Sequence, residues 1–239
     1  RFRLLSSNSR LMRDEVGRRF GVPGAKIRVI YPGYSSERFR PEDRAGLREP
    51  ARSGLGVGTG EILFGLITSG DFVKRGVELF ISAFSRVRRT GAPVRAVVIG
   101  KESRLAPYLQ RVAEEGMTEH VTFLPPTPDI ARYYHALDVY VHPARYEEFG
   151  QSVQEALACG VPVVAGARVG AAELLNAEAR EYLLEEGSVA ELSAKLAALA
   201  GNADRLRRLG ELGPAAVAGN TWNQNFAATL DCYNELLRA

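Results

Sequence analysis

Cysteine is scarce in this chain: two in 239 residues, Cys159 and Cys232, far apart in sequence. That excludes a disulfide framework of the kind that holds small secreted domains, and it leaves no thiol pair at metal-ligand spacing. Histidine is nearly as sparse, with His120, His135 and His142 alone. No His/Cys/Asp cluster and no Ser-His-Asp arrangement can be assembled from so few, so no metal site is expected. No apolar run nears the ~18 residues of a membrane span. The opening RFRLLSSNSR lacks the apolar core of a signal peptide. A reducing cytoplasm is the expected location.

What is present is an ordinary globular balance, 46% hydrophobic and 25% charged, with length enough for one large or two small domains. Charge is uneven. Residues 1–52 carry 13 Lys+Arg against 6 Asp+Glu, and the rest carries 18 against 22. Such a basic segment suits an anionic membrane surface or an anionic substrate, or is a solvated face. Aromatics are not interleaved with the basic residues, which speaks against nucleic acid as a partner.

Along the chain, Ser7 or Asn8 can cap a helix running to Phe20, with Leu11, Val16 and Phe20 as apolar contacts and Gly21, Pro23 and Gly24 as its end. Residues 26–31 read as a short strand and Pro32-Gly33 as a turn. The polar stretch 35–60, rich in Gly, Pro and Arg, reads as loop. Its glycine-alternating part precedes a strand and lacks a closing G-K-[ST], so it is not a phosphate loop. Strands are expected at 62–68, 94–99, 121–124, 139–142 and 161–165, with a last one at Tyr182-Leu183. Helices are expected at 76–89, where Val77, Phe80, Ile81 and Phe84 fall at i, i+3, i+4 and i+7. Others are expected at 105–115, from Asp129 as cap to His135, at 151–159 and, briefly, at 171–175. Three more follow at 189–199, 203–218 and 222–237, the last headed by Trp222 as a packing anchor.

Strands separated by helices, and strands as uniformly apolar as ILFGLI and AVVI, point to an α/β fold. Its parallel sheet is covered on both faces and joined by right-handed crossovers. Ligands bind such sheets beyond the carboxyl ends of the strands. Residues 69–76, 100–101, 125–127 and 142–150 all fall there, which makes Gly70, Gly100, Lys101 and Pro125 candidates for binding. His142 ends a strand beside that place and reads as a packed residue ahead of a base. His120 and His135 read as surface or helix-edge residues. Residues 168–173 either cover the pocket or form a surface turn.

The most informative stretch is residues 138–164, DVYVHPARYEEFGQSVQEALACGVPVV. It reads strand, loop, helix, strand. Phe149, Gly150, Gln151 and Ser152 sit where a helix start leaves N–H groups free, and such ends bind anions, phosphate above all. Glu147 in the loop and Glu155 in the helix bracket that junction. Carboxylates beside an anion pocket need another partner, and sugar hydroxyls, which donate to carboxylate oxygens, supply one. The stretch therefore suggests a nucleotide-sugar pocket. Val153, Ala156, Leu157 and Gly160 share an apolar face, with Glu155 roughly opposite. Lys74 and Arg75 precede Gly76 at a strand-to-helix turn. Cations there would stabilise charge developing on a departing diphosphate, unless they are a solvated basic pair.

The combined pattern P-x3-E-x-F-G-x4-E-A-x-A-x-G-x-P-V-V resembles the donor-binding C-terminal half of retaining glycosyltransferases built from two facing Rossmann-like domains, the GT-B architecture of the large family four type. SSNSRLMRDEVGRRFGVPGAKIRVIYPGYSSERFRP is similar to the segment after the first domain. GDFVKRGVELFISAF is similar to the phosphate-contacting loop and helix, and HPARYEE to the lipopolysaccharide-core glucosyltransferases. The resemblance implies one Rossmann-like domain over 1–239, half of a GT-B fold. Residues 1–24 would be an interdomain-junction helix, 220–239 a C-terminal helix reaching back to the other half, and the N-terminal acceptor domain is absent.

By the same resemblance, Glu147 holds sugar hydroxyls, and Phe149, Gly150 and Gln151 offer backbone N–H groups. Val153 and Gln154 approach the diphosphate through their backbone, and Glu155 accepts from the ribose hydroxyls. Lys74, Arg75 and Glu147 form the implied catalytic set. The family usually has Lys directly before the glycine; here Arg75 holds that place and Lys74 comes one earlier, so which of them touches the diphosphate stays open. No resident cofactor is implied. A nucleoside diphosphate sugar, with a UDP-sugar favoured, is the substrate, and its sugar passes with retention to an acceptor hydroxyl of lipopolysaccharide or another envelope glycan. This chain alone is expected to bind donor weakly and turn over little. Location would be cytoplasmic, with peripheral contact at an anionic inner membrane face through the missing domain. The rivals are a nucleotide-sugar epimerase of the same architecture and a binding module without chemistry.

Overall fold

The first strand, β1 (Leu5–Ser7), leads into helix α1 (Arg10–Phe20), and β2 (Ile27–Val29) returns to pair in parallel with β1. The structure, a computed structural model, describes residues 3–238. Arg1, Phe2 and Ala239, at the tips of the expected junction and C-terminal segments, lie outside the described residues. The cap of α1 is Ser9, not Ser7 or Asn8. Its hydroxyl accepts from the Met12 N–H at 3.0 Å and donates to the Glu148 carbonyl at 2.6 Å. That second bond, to a residue 139 positions further along the chain, selects among three adjacent capping residues.

Residues 35–60 are not the loop expected. Helix α2 (Arg44–Gly54) occupies much of them. Its inward side carries Arg44, Arg48 and Arg52, spaced i, i+4, i+8, beside a thin apolar row of Leu47, Ala51 and, just past its end, Leu55, so the apolar signal is diluted by charge. Arg48 and Arg52 pair with Asp138 at 2.6 and 2.9 Å, and Asp138 also accepts from the Leu63 N–H at 2.8 Å. Arg44 donates to the Leu137 carbonyl at 2.9 Å.

The main sheet follows from apolar strands with no polar side to turn to water: β3 (Ile62–Ile67), β4 (Val94–Ile99), β5 (Val121–Leu124), β6 (Val139–His142), β7 (Val163–Gly166) and β8 (Leu183–Leu184). All neighbours are parallel, in the order β5-β4-β3-β6-β7-β8. Between β3 and β4 lie α3 (Phe72–Arg75) and α4 (Val77–Arg89); α5 (Ala106–Glu114) and α6 (Ala131–Ala136) follow β4 and β5, and α7 (Gln151–Ala158) joins β6 to β7. The C-terminal helices are α8 (Val189–Ala200), α9 (Ala203–Val217) and α10 (Trp222–Arg238). The chain runs outward from β3 to one edge and then outward from β6 to the other, so right-handed crossovers put helices on both faces. Accordingly α4 packs on α5 and α8, while α2 packs on α6 and α7 on α9. The α/β expectation holds.

The core is continuous through Phe64, Leu66, Val98, Tyr140 and Val164, all fully buried. Gly65 is in the centre of β3 because Leu137 crosses it: a Cβ there would lie 2.4 Å from a Leu137 methyl. Two further expectations are corrected. Asp129 does not cap α6, whose first turn has no side-chain cap. His135 is fully buried instead of lying at a helix edge, because α2 covers α6. Trp222 is 55% exposed but does pack at the head of α10: its backbone and one edge of its indole press on Gly33, where a Cβ would lie 2.4 Å from the Trp222 Cα and 2.6 Å from a ring carbon.

Candidate functional site

The order in which strands are added to the sheet reverses between β3 and β6, and a cleft of about 380 Å³ opens at their carboxyl ends. Ile67, Thr68 and Ser69 close it from β3, Ile99 from β4, Pro126 and Thr127 after β5, and His142 from β6. The wall opposite is Glu147, Gly150, Gln151, Ser152 and Glu155, with Arg75 and Tyr134 at the sides.

The local sequence explains this wall. Gly150 sits at φ 93°, a left-handed conformation that turns the loop straight into α7. A side chain there would also press within 2.8 Å of Val169. No side chain caps α7, so its first N–H groups face the cleft as an electropositive end. Glu147 is held by its backbone: its N–H donates to the Arg168 carbonyl at 3.1 Å, and its carbonyl accepts from the Gly170 N–H at 3.0 Å. Residues 168–170 thus brace the loop instead of covering the pocket, and Glu173 accepts from the Arg10 N–H at 2.8 Å at the start of α1.

Arg75 ends α3. Asp71 caps that turn by accepting from the Lys74 N–H at 3.0 Å, and Gly76, at φ 74°, reverses the chain against Pro143. The Arg75 guanidinium enters the cleft and ion-pairs with Glu147. Lys74 points elsewhere, half exposed, 3.9 Å from Glu148. Of the two cations the structure therefore brings only Arg75 to the cleft. Glu155 also faces it. One oxygen accepts the Tyr134 hydroxyl at 2.8 Å, and burial holds the carboxyl above the usual carboxylate range, with Tyr134 and Arg38 opposing the shift.

Other candidates fall around this centre. Gly70 and Lys101 line an adjoining depression of about 860 Å³ that shares Ser69 with the cleft. Gly100 packs on Thr68, with room for no Cβ, which would lie 2.8 Å from the Thr68 carbonyl oxygen. Pro125 is exposed and outside the cleft; Pro126 and Thr127 line it instead. The Phe149 ring is buried against Tyr31, centroids 5.9 Å apart. Val153 is wholly in the core. The Gln151 and Gln154 amides donate to the Gly33 and Pro32 carbonyls at 2.7 and 2.9 Å, tying α7 to the 32–33 turn. Ser152, expected at the helix start, and His142, expected as a packed residue beside the site and 1% exposed, both line the cleft. Tyr134 arrives from α6 and was not among the candidates. Among the described residues, no group of three or more His, Cys, Asp or Glu could hold a metal ion, and no helix is long and apolar enough to cross a membrane.

Residues 62–215 match the family described as glycosyl transferases group 1. The chain belongs to that glycosyltransferase family. Over 226 residues it is 32% identical to the D-inositol 3-phosphate glycosyltransferase of Nocardia farcinica, covering 91% of this chain and 49% of that protein. The chain spans about half the length of the curated glycosyltransferases it matches. Solved glycosyltransferases share its fold. The Rickettsia africae glycosyltransferase superposes with a TM-score of 0.86 at 18% identity, over 98% of this chain and 64% of that one. Anabaena Alr3699/HepE, solved with UDP and glucose, gives 0.80 at 24% identity, over 96% and 63%.

Proposed function

We propose that this chain is the donor-binding half of a glycosyltransferase that takes a sugar from a nucleoside diphosphate, UDP favoured, and passes it to an acceptor hydroxyl with retention. One observation carries the reading: a single cleft joins the uncapped start of α7 and Arg75, which suit a diphosphate, to Glu147 and Glu155, which suit hydroxyls. Glu155 would take the ribose and Glu147 the transferred sugar. As the diphosphate departs its charge grows, and the α7 N–H groups with Arg75 are already oriented to meet it, so they stabilise the transition state more than the ground state.

A further domain would supply the acceptor side of the cleft. Two facts support this: the curated relatives are about twice as long, and α10 carries an apolar stripe, Trp222, Phe226, Leu230, Tyr233 and Leu237, exposed along one face. For the acceptor, HPARYEE suggests lipopolysaccharide core, while the Nocardia farcinica relative is named for D-inositol 3-phosphate. The likeness to that relative runs over most of the chain, so D-inositol 3-phosphate is the first acceptor to test and lipopolysaccharide core the second. Any contact with an anionic membrane belongs to the further domain in this reading.

The test is calorimetric titration of this chain with UDP, GDP and ADP. Binding of UDP ahead of the others supports the reading, and no binding of any nucleoside diphosphate refutes it. With the full-length polypeptide, product analysis separates a transferase, which glycosylates the acceptor, from an epimerase, which releases a free sugar.

A further inference from the structure

Arg75 and Glu147 meet in the cleft as an ion pair, their side chains only 17% and 11% exposed. Of the described residues that line the cleft, Arg75 is the one cation, and a cation is what a diphosphate needs. His142 adds no charge beside it, because burial, with Arg75 adding to it, pushes the imidazole pKa down to about 3. The pair thus engages the phosphate partner and the sugar partner with each other. Glu147 Oε2, the oxygen that faces the guanidinium, is closed to solvent, so it takes no sugar hydroxyl while the pair stands. One of the two side chains has to move. Glu147 is held in place: its N–H and carbonyl are bonded to Arg168 and Gly170, and its backbone bridges to Val169. Arg75 ends a helix of four residues, and its Nε is buried without a hydrogen-bond partner. Arg75 is therefore the side that moves. Breaking a largely buried pair is costly unless another charge takes the vacated place. A diphosphate seated on the first N–H groups of α7 brings such a charge into the same cleft.

We propose that Glu147 discriminates the sugar-bearing donor from the spent nucleoside diphosphate by competing with the phosphates for Arg75; this rests on the nucleotide-sugar reading above. The diphosphate draws Arg75 off, and the uncovered carboxylate then accepts sugar hydroxyls. A donor with its sugar satisfies both charges. UDP without a sugar satisfies Arg75 but leaves Glu147 charged, shielded from water and unpaired beside the phosphates. Return of Glu147 to Arg75 then favours release of UDP. The coupling is reciprocal: the diphosphate raises the affinity for the sugar by the same factor as the sugar raises that for the diphosphate.

Titrations with UDP and UDP-glucose test this. Glu147→Gln removes the competing charge, so it should bind UDP about fivefold more tightly than the unaltered chain, and the advantage of UDP-glucose over UDP should shrink by at least that factor. UDP binding that is unchanged or weaker in Glu147→Gln overturns the proposal and makes Glu147 a support for Arg75 instead. The gain must also pass through Arg75. Measured against Arg75→Ala, the double variant Arg75→Ala/Glu147→Gln should gain less than about twofold. A full fivefold gain there means plain repulsion between Glu147 and the phosphates, and it overturns the proposal as well. If circular dichroism shows that Glu147→Gln does not fold, carbon-13 spectra of the unaltered chain decide. The Glu147 carboxyl signal should move, on adding UDP, towards its position in Arg75→Ala; a signal that stays in place overturns the proposal. Failure of the donor reading looks different: the unaltered chain would bind neither ligand, and the discriminating role of Glu147 would go with it.

Discussion

Glu155 serves binding at a cost to the fold, and that opposition can be measured in one substitution. The carboxylate is largely withdrawn from water, and burial raises its pKa despite the Tyr134 hydrogen bond. At neutral pH the folded protein thus holds a charge it would hold more cheaply unfolded. Glu155→Gln keeps the shape and the bond from Tyr134 but removes the charge, so the free protein should become more stable. The sign follows from linkage: a carboxyl whose folded pKa is raised is least favourable above that pKa and gains as pH falls through it. The advantage of Glu155→Gln should therefore narrow as the pH is lowered towards the range where wild-type Glu155 takes its proton. Binding should move the other way. Hydrogen bonds to a charged group contribute roughly 1.5–3 kcal/mol. With the amide oxygen committed to Tyr134, losing the charged acceptor for ribose should weaken UDP binding about tenfold. Pyrophosphate, which has no ribose, should bind both proteins alike. Urea denaturation at several pH values and calorimetry with the two ligands provide the readout. A variant that is less stable at neutral pH, or one that binds UDP as the wild type does, refutes the reasoning.

Arg75→Ala should weaken UDP binding about 10- to 100-fold by removing a charged partner of the diphosphate, whereas Lys74→Ala, outside the cleft, should change it less than about threefold; calorimetry ranks the two. The ring of His135 is buried with both nitrogens unpartnered and its pKa pushed down to about 4 from 6.5. The unfolded chain takes that proton first, so stability falls by about 2 kcal/mol between pH 7 and pH 5 on its account. His135→Leu should flatten the pH dependence of the urea midpoint by that amount. Asp138→Ala leaves Arg52, whose side chain is 7% exposed, charged and unpaired, and should cost about 3–5 kcal/mol in urea unfolding.

The strands were legible because both faces of the sheet are covered, so ILFGLI and AVVI had to be apolar throughout. Helix α2 was hidden because arginines share its inward side with a short apolar row, and their partners at 136–138 lie far along the sequence. Ser9 could not be chosen over its neighbours without the Glu148 carbonyl it reaches across the fold. At the site, Glu147, Gly150, Gln151 and Glu155 were readable from one continuous motif, since a loop and the helix it opens form a single wall. Arg75 and Lys74 were separable only by which way a four-residue helix points them. The side chains of Val153 and Gln154 turn into the core and to the 32–33 turn, which leaves only their backbone, in the first turn of α7, for the role expected of them. His142 looked like strand-end packing, and it is packed: it is 1% exposed and stacked on Tyr140, whose hydroxyl also meets Ser152.

The account stands on where a diphosphate lodges. A crystal structure of this chain with UDP should place the two phosphates against the N–H groups at the start of α7, within reach of Arg75, and the ribose on Glu155. A diphosphate bound instead in the depression lined by Gly70 and Lys101, with Glu147 and Glu155 touching no ligand, would contradict it.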